Sequence, residues 1–173
     1  MTLSASAAQR SGPTPRRVIA LVGLACLALI AGAWFFEIVV GLRPCKLCLE
    51  QRLPHYAVIG LAAAGLVLAR SPRLQGLVLL GLAALMAWSA GLGVYHAGVE
   101  WGWFAGPNDC GGAAAPAAAG VQDFMKQLQT TRVIACTEAA WRWLGLSLAG
   151  WNALASLGLL ALAVLGLRGR ARV

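Results

Sequence analysis

The sequence predicts an all-α integral membrane protein, a four-transmembrane-helix bundle with a short interfacial helix in its second outer loop. Three observations lead there. Of the 173 residues, 60% are hydrophobic and only 12% charged, and the mean hydropathy of +0.73 lies far above that of a soluble domain. Four apolar runs, at roughly 18–40, 53–69, 74–94 and 148–167, approach the ~17–25 residues a spanning helix needs. The runs are continuous Leu, Ala, Val and Gly, without the polar alternation of a transmembrane strand, so helices are the backbone that lipid permits.

Charge sets the orientation. With four crossings, the N-terminal arm, the turn at 70–73 and the C-terminal tail share a side. That side carries Arg10, Arg16, Arg17, Arg70, Arg73, Arg168, Arg170 and Arg172, eight of the 14 basic residues and none of the six acidic ones. The net charge of +8 therefore lies on one face, which the positive-inside rule makes cytoplasmic. The expected home is a bacterial inner membrane, with both termini cytoplasmic and the cysteine loops periplasmic, where disulfides persist. The arginines sit in short juxtamembrane pieces with no aromatic-interleaved patch, which argues against nucleic-acid binding.

The elements follow in order. Residues 1–17, rich in Ser, Ala, Pro and Arg, read as a mobile arm. The first run is too long for a cleavable signal and ends in Trp34, Phe35, Phe36 and Glu37, an interface belt that marks a retained anchor. Cys26 within it reads as a small buried apolar residue. Glu37, beside the end of the run, reads as a hydrated interface carboxylate rather than an intramembrane one.

The first outer loop, about 41–52, contains Pro44-Cys45-Lys46-Leu47-Cys48-Leu49-Glu50-Gln51-Arg52. Pro54 suits the first turn of helix two. If the helix instead begins near Leu47, Cys48 falls in its first turn and Arg52 one turn on, so that dipole and guanidinium both favour a Cys48 thiolate. Arg70-Ser71-Pro72-Arg73 makes a tight turn into helix three.

Helix three runs toward Tyr95-His96 and the tryptophans Trp101 and Trp103. His96 either reaches a ligand near the dithiol or merely hydrogen-bonds a loop carbonyl, and position alone does not separate the two. The second outer loop, about 95–147, opens into a Gly-, Ala- and Pro-rich stretch around Cys110, expected to be mobile. Val121, Phe124, Met125 and Leu128 recur at helical spacing and predict the interfacial helix. Cys136, Trp141 and Trp143 lead into helix four, and residues 168–173 form a basic tail.

All four cysteines other than Cys26 fall on the outer side. Three pairings are possible, and proximity favours 45 with 48 and 110 with 136. Structural zinc would want a second close pair. Cys110 and Cys136 are 26 positions apart with no histidine beside them, so no metal is expected. Haem attachment would need His where Leu49 stands. A two-residue spacing closes too short a loop to be a good staple, which favours redox chemistry over a structural role.

Four spans, Pro-Cys-x-x-Cys-x-x-x-Arg at Pro44 to Arg52, a histidine on helix three and a second cysteine pair in the last outer loop resemble the bacterial disulfide bond formation protein DsbB family. The likeness covers roughly 17–167 and includes Cys136-Thr137-Glu138 through Trp141 to Leu144-Gly145-Leu146. The resemblance implies a quinone-dependent thiol:disulfide oxidoreductase that reoxidises a periplasmic DsbA-like thioredoxin-fold oxidase. Its electrons would pass to the membrane quinone pool, ubiquinone or menaquinone.

By the same resemblance, Cys110 would be attacked by the partner and Cys136 released to attack Cys45. Cys48 would face the quinone, with Arg52 and His96 near it. Lys46, Leu47 and Gln51 are assigned no role. The competing class is a small four-helix transporter or assembly factor with structural disulfides, which would need carboxylates deep within the spans.

Overall fold

In the computed structural model, which describes residues 13–107, 120–122, 125 and 135–170, each apolar run becomes a helix. Helix α1 spans Pro15–Ile38, with proline in its first turn, where a missing N–H costs nothing. Helix α3, Pro72–Glu100, starts the same way, and Ser71 caps it by accepting the Leu74 N–H at 3.3 Å. Helix α4 covers Leu148–Arg170.

Helix α2, Lys46–Leu68, departs from the simpler expectation. Pro54 lies in its interior rather than its first turn. The helix starts eight residues earlier because Cys45 is a working N-cap whose sulfur accepts the Cys48 N–H at 3.3 Å. The dithiol is therefore the beginning of the helix, and the proline's missing hydrogen bond falls one turn beyond Gln51.

The all-α expectation also needs a small correction. Arg142–Trp143 (β1) and Leu146–Ser147 (β2) pair antiparallel just before α4. Leu144 at φ 50° and Gly145 at φ 81° form the turn, the double positive φ of a tight hairpin. Leucine is an unusual occupant of that conformation, so no turn signature announces it. Of the interfacial helix expected around 121–128, Val121, Gln122 and Met125 are helical. Phe124 and Leu128, like Cys110 and the loop around it, lie outside the described residues.

The four helices run antiparallel in sequence order, and small residues set their approach. A Cβ at Gly23 would meet Ala62, one at Gly65 would meet Val78, one at Gly93 would meet the backbone of Ala153, and one at Gly166 would meet Val18. Such contacts tie α1 to α2, α2 to α3, α3 to α4 and α4 back to α1, the small-residue packing of helices in lipid. Between α3 and α4 the buried Ser89 and Ser156 hydroxyls share a hydrogen bond of 2.9 Å.

The apolar core lies toward the end bearing the α1 N-terminus, with Val18, Ile19, Val22, Val58, Leu79, Leu82 and Met86 fully buried. Cys26 sits among them, its thiol 3.9 Å from the Met86 sulfur, as a small apolar residue would. Large leucines such as Leu24, Leu77 and Leu80 point outward, which suits a lipid solvent. Helices α1, α3 and α4 are each long and apolar enough to cross a membrane. The 23-residue α2 is not among them, because its first ten positions include Lys46, Glu50, Gln51, Arg52 and His55.

Candidate redox site

The polar first half of α2 lies at the opposite end of the bundle from that core. Cys45 and Cys48 sit one helical turn apart, and their sulfurs come within 2.8 Å, the Cys45 thiol donating to Cys48. That hydrogen bond holds Cys48 below its ordinary thiol range against the opposing effect of burial, and the nearby Glu100 carboxylate also opposes ionisation. The same hydrogen bond, with burial, pushes Cys45 up to about 12, although His96 pulls the other way. One sulfur of the pair is thus prepared as a thiolate and the other as its proton-bearing neighbour.

His96, from α3, is 2% exposed. Its Nε2 lies 3.5 Å from the Cys45 sulfur and 3.8 Å from Glu100 Oε1. Its Nδ1 is 2.6 Å from Gln51 Nε2, and Gln51 Oε1 in turn accepts from Asn152 Nδ2 of α4 at 2.7 Å. An amide N–H can only donate, so Nδ1 accepts and the ring proton sits on Nε2, toward the sulfur. Residues 51, 96 and 152, on three different helices, therefore fix one imidazole. Sequence reading singled out His96 but missed Gln51, Asn152 and Glu100; the first two have partners 45 or more positions away in the chain, which no local spacing signals, whereas Glu100 stands one helical turn from His96, a spacing that could have found it.

Arg52 behaves differently from the expectation that it would bias Cys48. Its guanidinium is 2.6 Å from Glu37 Oε2 of α1 and lies over the Trp34 ring, 5.4 Å from the centroid. The charge that favours the Cys48 thiolate is not this one; the Cys45 thiol does most of that work. Glu37 is the partner that neutralises Arg52, at a half-buried position on the cavity wall.

Cys136 comes to the site from outside the helices. It packs against Cys45, Leu47 and Val99. Burial raises its thiol, opposed by hydrogen bonds from the first backbone N–H groups of α2, and its sulfur is hydrogen-bonded with Cys45. Three of the four expected cysteines are thus gathered at one point; Cys110 lies outside the described residues.

Below them a cavity of about 370 Å³ opens between the helices, with both dithiol sulfurs, Arg52, His55 and His96 on its wall and Leu29, Ala33, Phe36, Ala149 and Ala155 among its apolar lining. His55 Nδ1–H donates to the Gln51 carbonyl, 2.9 Å away. Its buried Nε2 has no hydrogen-bond partner among the described residues.

Helices fit for lipid around a cysteine pair at the rim of an apolar cavity define a membrane-embedded thiol–disulfide protein. The comparisons with known proteins narrow that class. The family model described as disulfide bond formation protein DsbB matches residues 15–166. A disulfide bond formation protein B of Verminephrobacter eiseniae is 40% identical over 90% of this chain and 90% of its own length. Proteins of the same name from a Polaromonas species and from Marinobacter nauticus are each 34% identical. They cover 88% and 81% of this chain and 89% and 84% of their own lengths. No solved structure matches. The chain belongs to the disulfide bond formation protein DsbB family.

Proposed function

We propose that this protein is a quinone-dependent thiol:disulfide oxidoreductase of the bacterial inner membrane, which reoxidises a periplasmic DsbA-like dithiol oxidase. The observation that carries the reading is the convergence of Cys45, Cys48 and Cys136 on the rim of an apolar cavity. Helix α2 crosses the bilayer along with the other three, since it runs antiparallel between α1 and α3 and its Gln51, Arg52 and His55 side chains are met within the bundle. The arginine-rich end is cytoplasmic, which leaves the cysteines on the periplasmic side.

In the electron path, a partner thiolate attacks the Cys110 sulfur of a Cys110–Cys136 disulfide. A bond between partner and Cys110 forms, and Cys136 leaves as a thiolate. Cys136 then attacks the Cys45 sulfur of the Cys45–Cys48 disulfide, and Cys48 leaves with the electron pair. The hydrogen bond between Cys136 and Cys45 supports that contact, and the backbone N–H at Cys45 helps hold the departing charge. The partner's second thiolate closes the partner's disulfide and releases Cys110. Cys110 then retakes Cys136 and frees Cys45 as a thiol. Two electrons and two protons now reside on residues 45 and 48.

The cavity residues fit a quinone: an apolar lining, two sulfurs on the rim, the Arg52 charge, and the unpartnered His55 Nε2, whose lone pair can accept from a hydroxyl of the reduced ring. A quinone held there supplies a two-electron, two-proton acceptor strong enough to regenerate a disulfide that oxidises a couple near about −120 mV. For the pair to close again Cys45 must lose its proton. His96 Nε2–H, 3.5 Å away, donates to the resulting thiolate and lowers the cost of making it. Arg52, held by Glu37, presents positive charge to the cavity in a site with little water to screen it.

The test is reduction of a soluble quinone by a reduced DsbA-like partner in the presence of purified protein. Cys45→Ser and Cys48→Ser are expected to abolish it. Full turnover by both variants overturns the reading.

A further inference from the structure

A binding site of another kind is built from the same side chains. The sulfurs of Cys45 and Cys48 and the Nε2 of His96 lie within 4.8 Å of one another, and Cys136 is hydrogen-bonded to the Cys45 sulfur. Sequence spacing argued against a metal because the second cysteine pair is 26 positions apart with no histidine beside it; the fold instead brings a histidine to the first pair from 51 positions away. Glu100 adds an independent sign. It is 5% exposed, 3.8 Å from His96 Nε2, and its Oε2 has no hydrogen-bond partner among the described residues. A buried, under-satisfied carboxylate beside the imidazole of this cluster marks a place where a cation offsets charge rather than adding it.

We propose that the fully reduced protein binds one soft, tetrahedral divalent cation, zinc or its analogues, through Cys45, Cys48 and His96, with Cys136 completing the set. The site is an inhibitory one. This deepens the proposed function, since only a pair that becomes reduced in turnover is offered to a cation. The dimensions are close to those required. With metal–sulfur bonds of about 2.3 Å and metal–nitrogen bonds of about 2.0–2.1 Å, tetrahedral ligands stand about 3.5 to 3.8 Å apart. The Cys45–His96 distance of 3.5 Å already meets this. The Cys45–Cys48 distance of 2.8 Å reaches it by roughly 1 Å of side-chain rotation at the first turn of α2.

Binding displaces the protons that the ligating thiols carry, since sulfur ligates as the thiolate. The His96 ring gives up Nε2 to the metal and carries its proton at Nδ1. There the Gln51 carbonyl accepts it once the Gln51 and Asn152 amides turn over together, a rearrangement that keeps both hydrogen bonds. A carbonyl behind a ligating imidazole is the usual second support of such sites. The bound cation is redox-inert, so nothing is oxidised or reduced. It occupies the sulfur lone pairs that disulfide closure requires, and a chelator restores them.

The test uses Co²⁺ alone as the probe, with no quinone and no partner protein. Full-length protein in detergent is reduced with a phosphine, desalted without air and titrated. The expected result is a thiolate-to-cobalt charge-transfer band with tetrahedral d–d bands, saturating at about one equivalent. The bands should be absent from the oxidised protein and unchanged in Cys26→Ser. Affinity should fall at least about tenfold in His96→Ala and again in Cys136→Ser, which lies outside the helices and leaves their packing intact.

Absence of the bands in reduced protein overturns the proposal. So does a band of unaltered affinity in both His96→Ala and Cys136→Ser, which would be an ordinary vicinal dithiol. Because turnover is not measured, a protein that binds Co²⁺ yet fails to oxidise its partner refutes the proposed function and leaves the metal site standing, and the reverse result does the opposite.

Discussion

The two halves of α2 face opposite tasks. Its second half, from Ala57 on, contributes Val58, Ala62 and Gly65 to helix contacts made by shape alone. Its first half carries Cys48, Gln51, Arg52 and His55, which are met in turn by Cys45, by His96 and Asn152, by Glu37 and by the helix's own Gln51 carbonyl. The difference teaches that the chemistry here is confined to one end of a helix whose other end does only packing. Damage to one half should leave the other half's property intact.

The largest effect expected on that division is from Cys48→Ser. It should abolish quinone reduction while thermal stability in detergent stays within about 0.5 kcal/mol of the parent, as for substitutions that open no cavity. The reciprocal variant is Gly93→Val, at the apolar α3–α4 crossing, where a side chain would strike the Ala153 backbone. It should cost about 1–3 kcal/mol of stability, measured by thermal or denaturant unfolding, and lower activity only through the amount of folded protein.

Arg52→Gln sharpens the contrast within the site. Its guanidinium is occupied by Glu37 rather than by the sulfur, so the rate of Cys48 alkylation by iodoacetamide should be unchanged while the KM for quinone rises. A parallel fall in alkylation rate would return Arg52 to the thiolate.

The pH dependence follows the sign of the shifts. Cys48 lies below the ordinary thiol range and Cys45 near 12. Between the two sulfurs of the reduced pair, alkylation should therefore fall on Cys48. It should decline as pH drops through the depressed pKa, with Cys45 untouched until strongly alkaline conditions; mass spectrometry of the labelled peptides reads both. The smallest effect belongs to Ser89→Ala, which removes one buried interhelical hydrogen bond worth about 0.6 kcal/mol in such bundles.

Much of this division was legible in the sequence. The apolar runs gave the helices, and Cys45, Cys48 and Arg52 stood out because their spacing is local. The start of α2 was harder to read, since Pro54 offers a better helix-start signal than a cysteine does, yet Cys45 provides the cap. His96 stood out by position, but its link to Gln51 and Asn152 was invisible for another reason. Those two are unremarkable singly and meet His96 only when α2, α3 and α4 pack. Glu37 read as a hydrated interface carboxylate, and only the contact with Arg52 shows what it neutralises. The Leu144–Gly145 turn could not be foreseen because leucine is a poor occupant of positive φ.

In the proposed electron path the sulfur that caps α2 is also the one that changes partners. Whenever Cys45 is drawn into a bond with another cysteine, its hold on the Cys48 amide weakens, and the first turn gains freedom to fray. Hydrogen–deuterium exchange at that single amide would then track oxidation state, making the end of the helix a built-in gauge of how many electrons the protein holds.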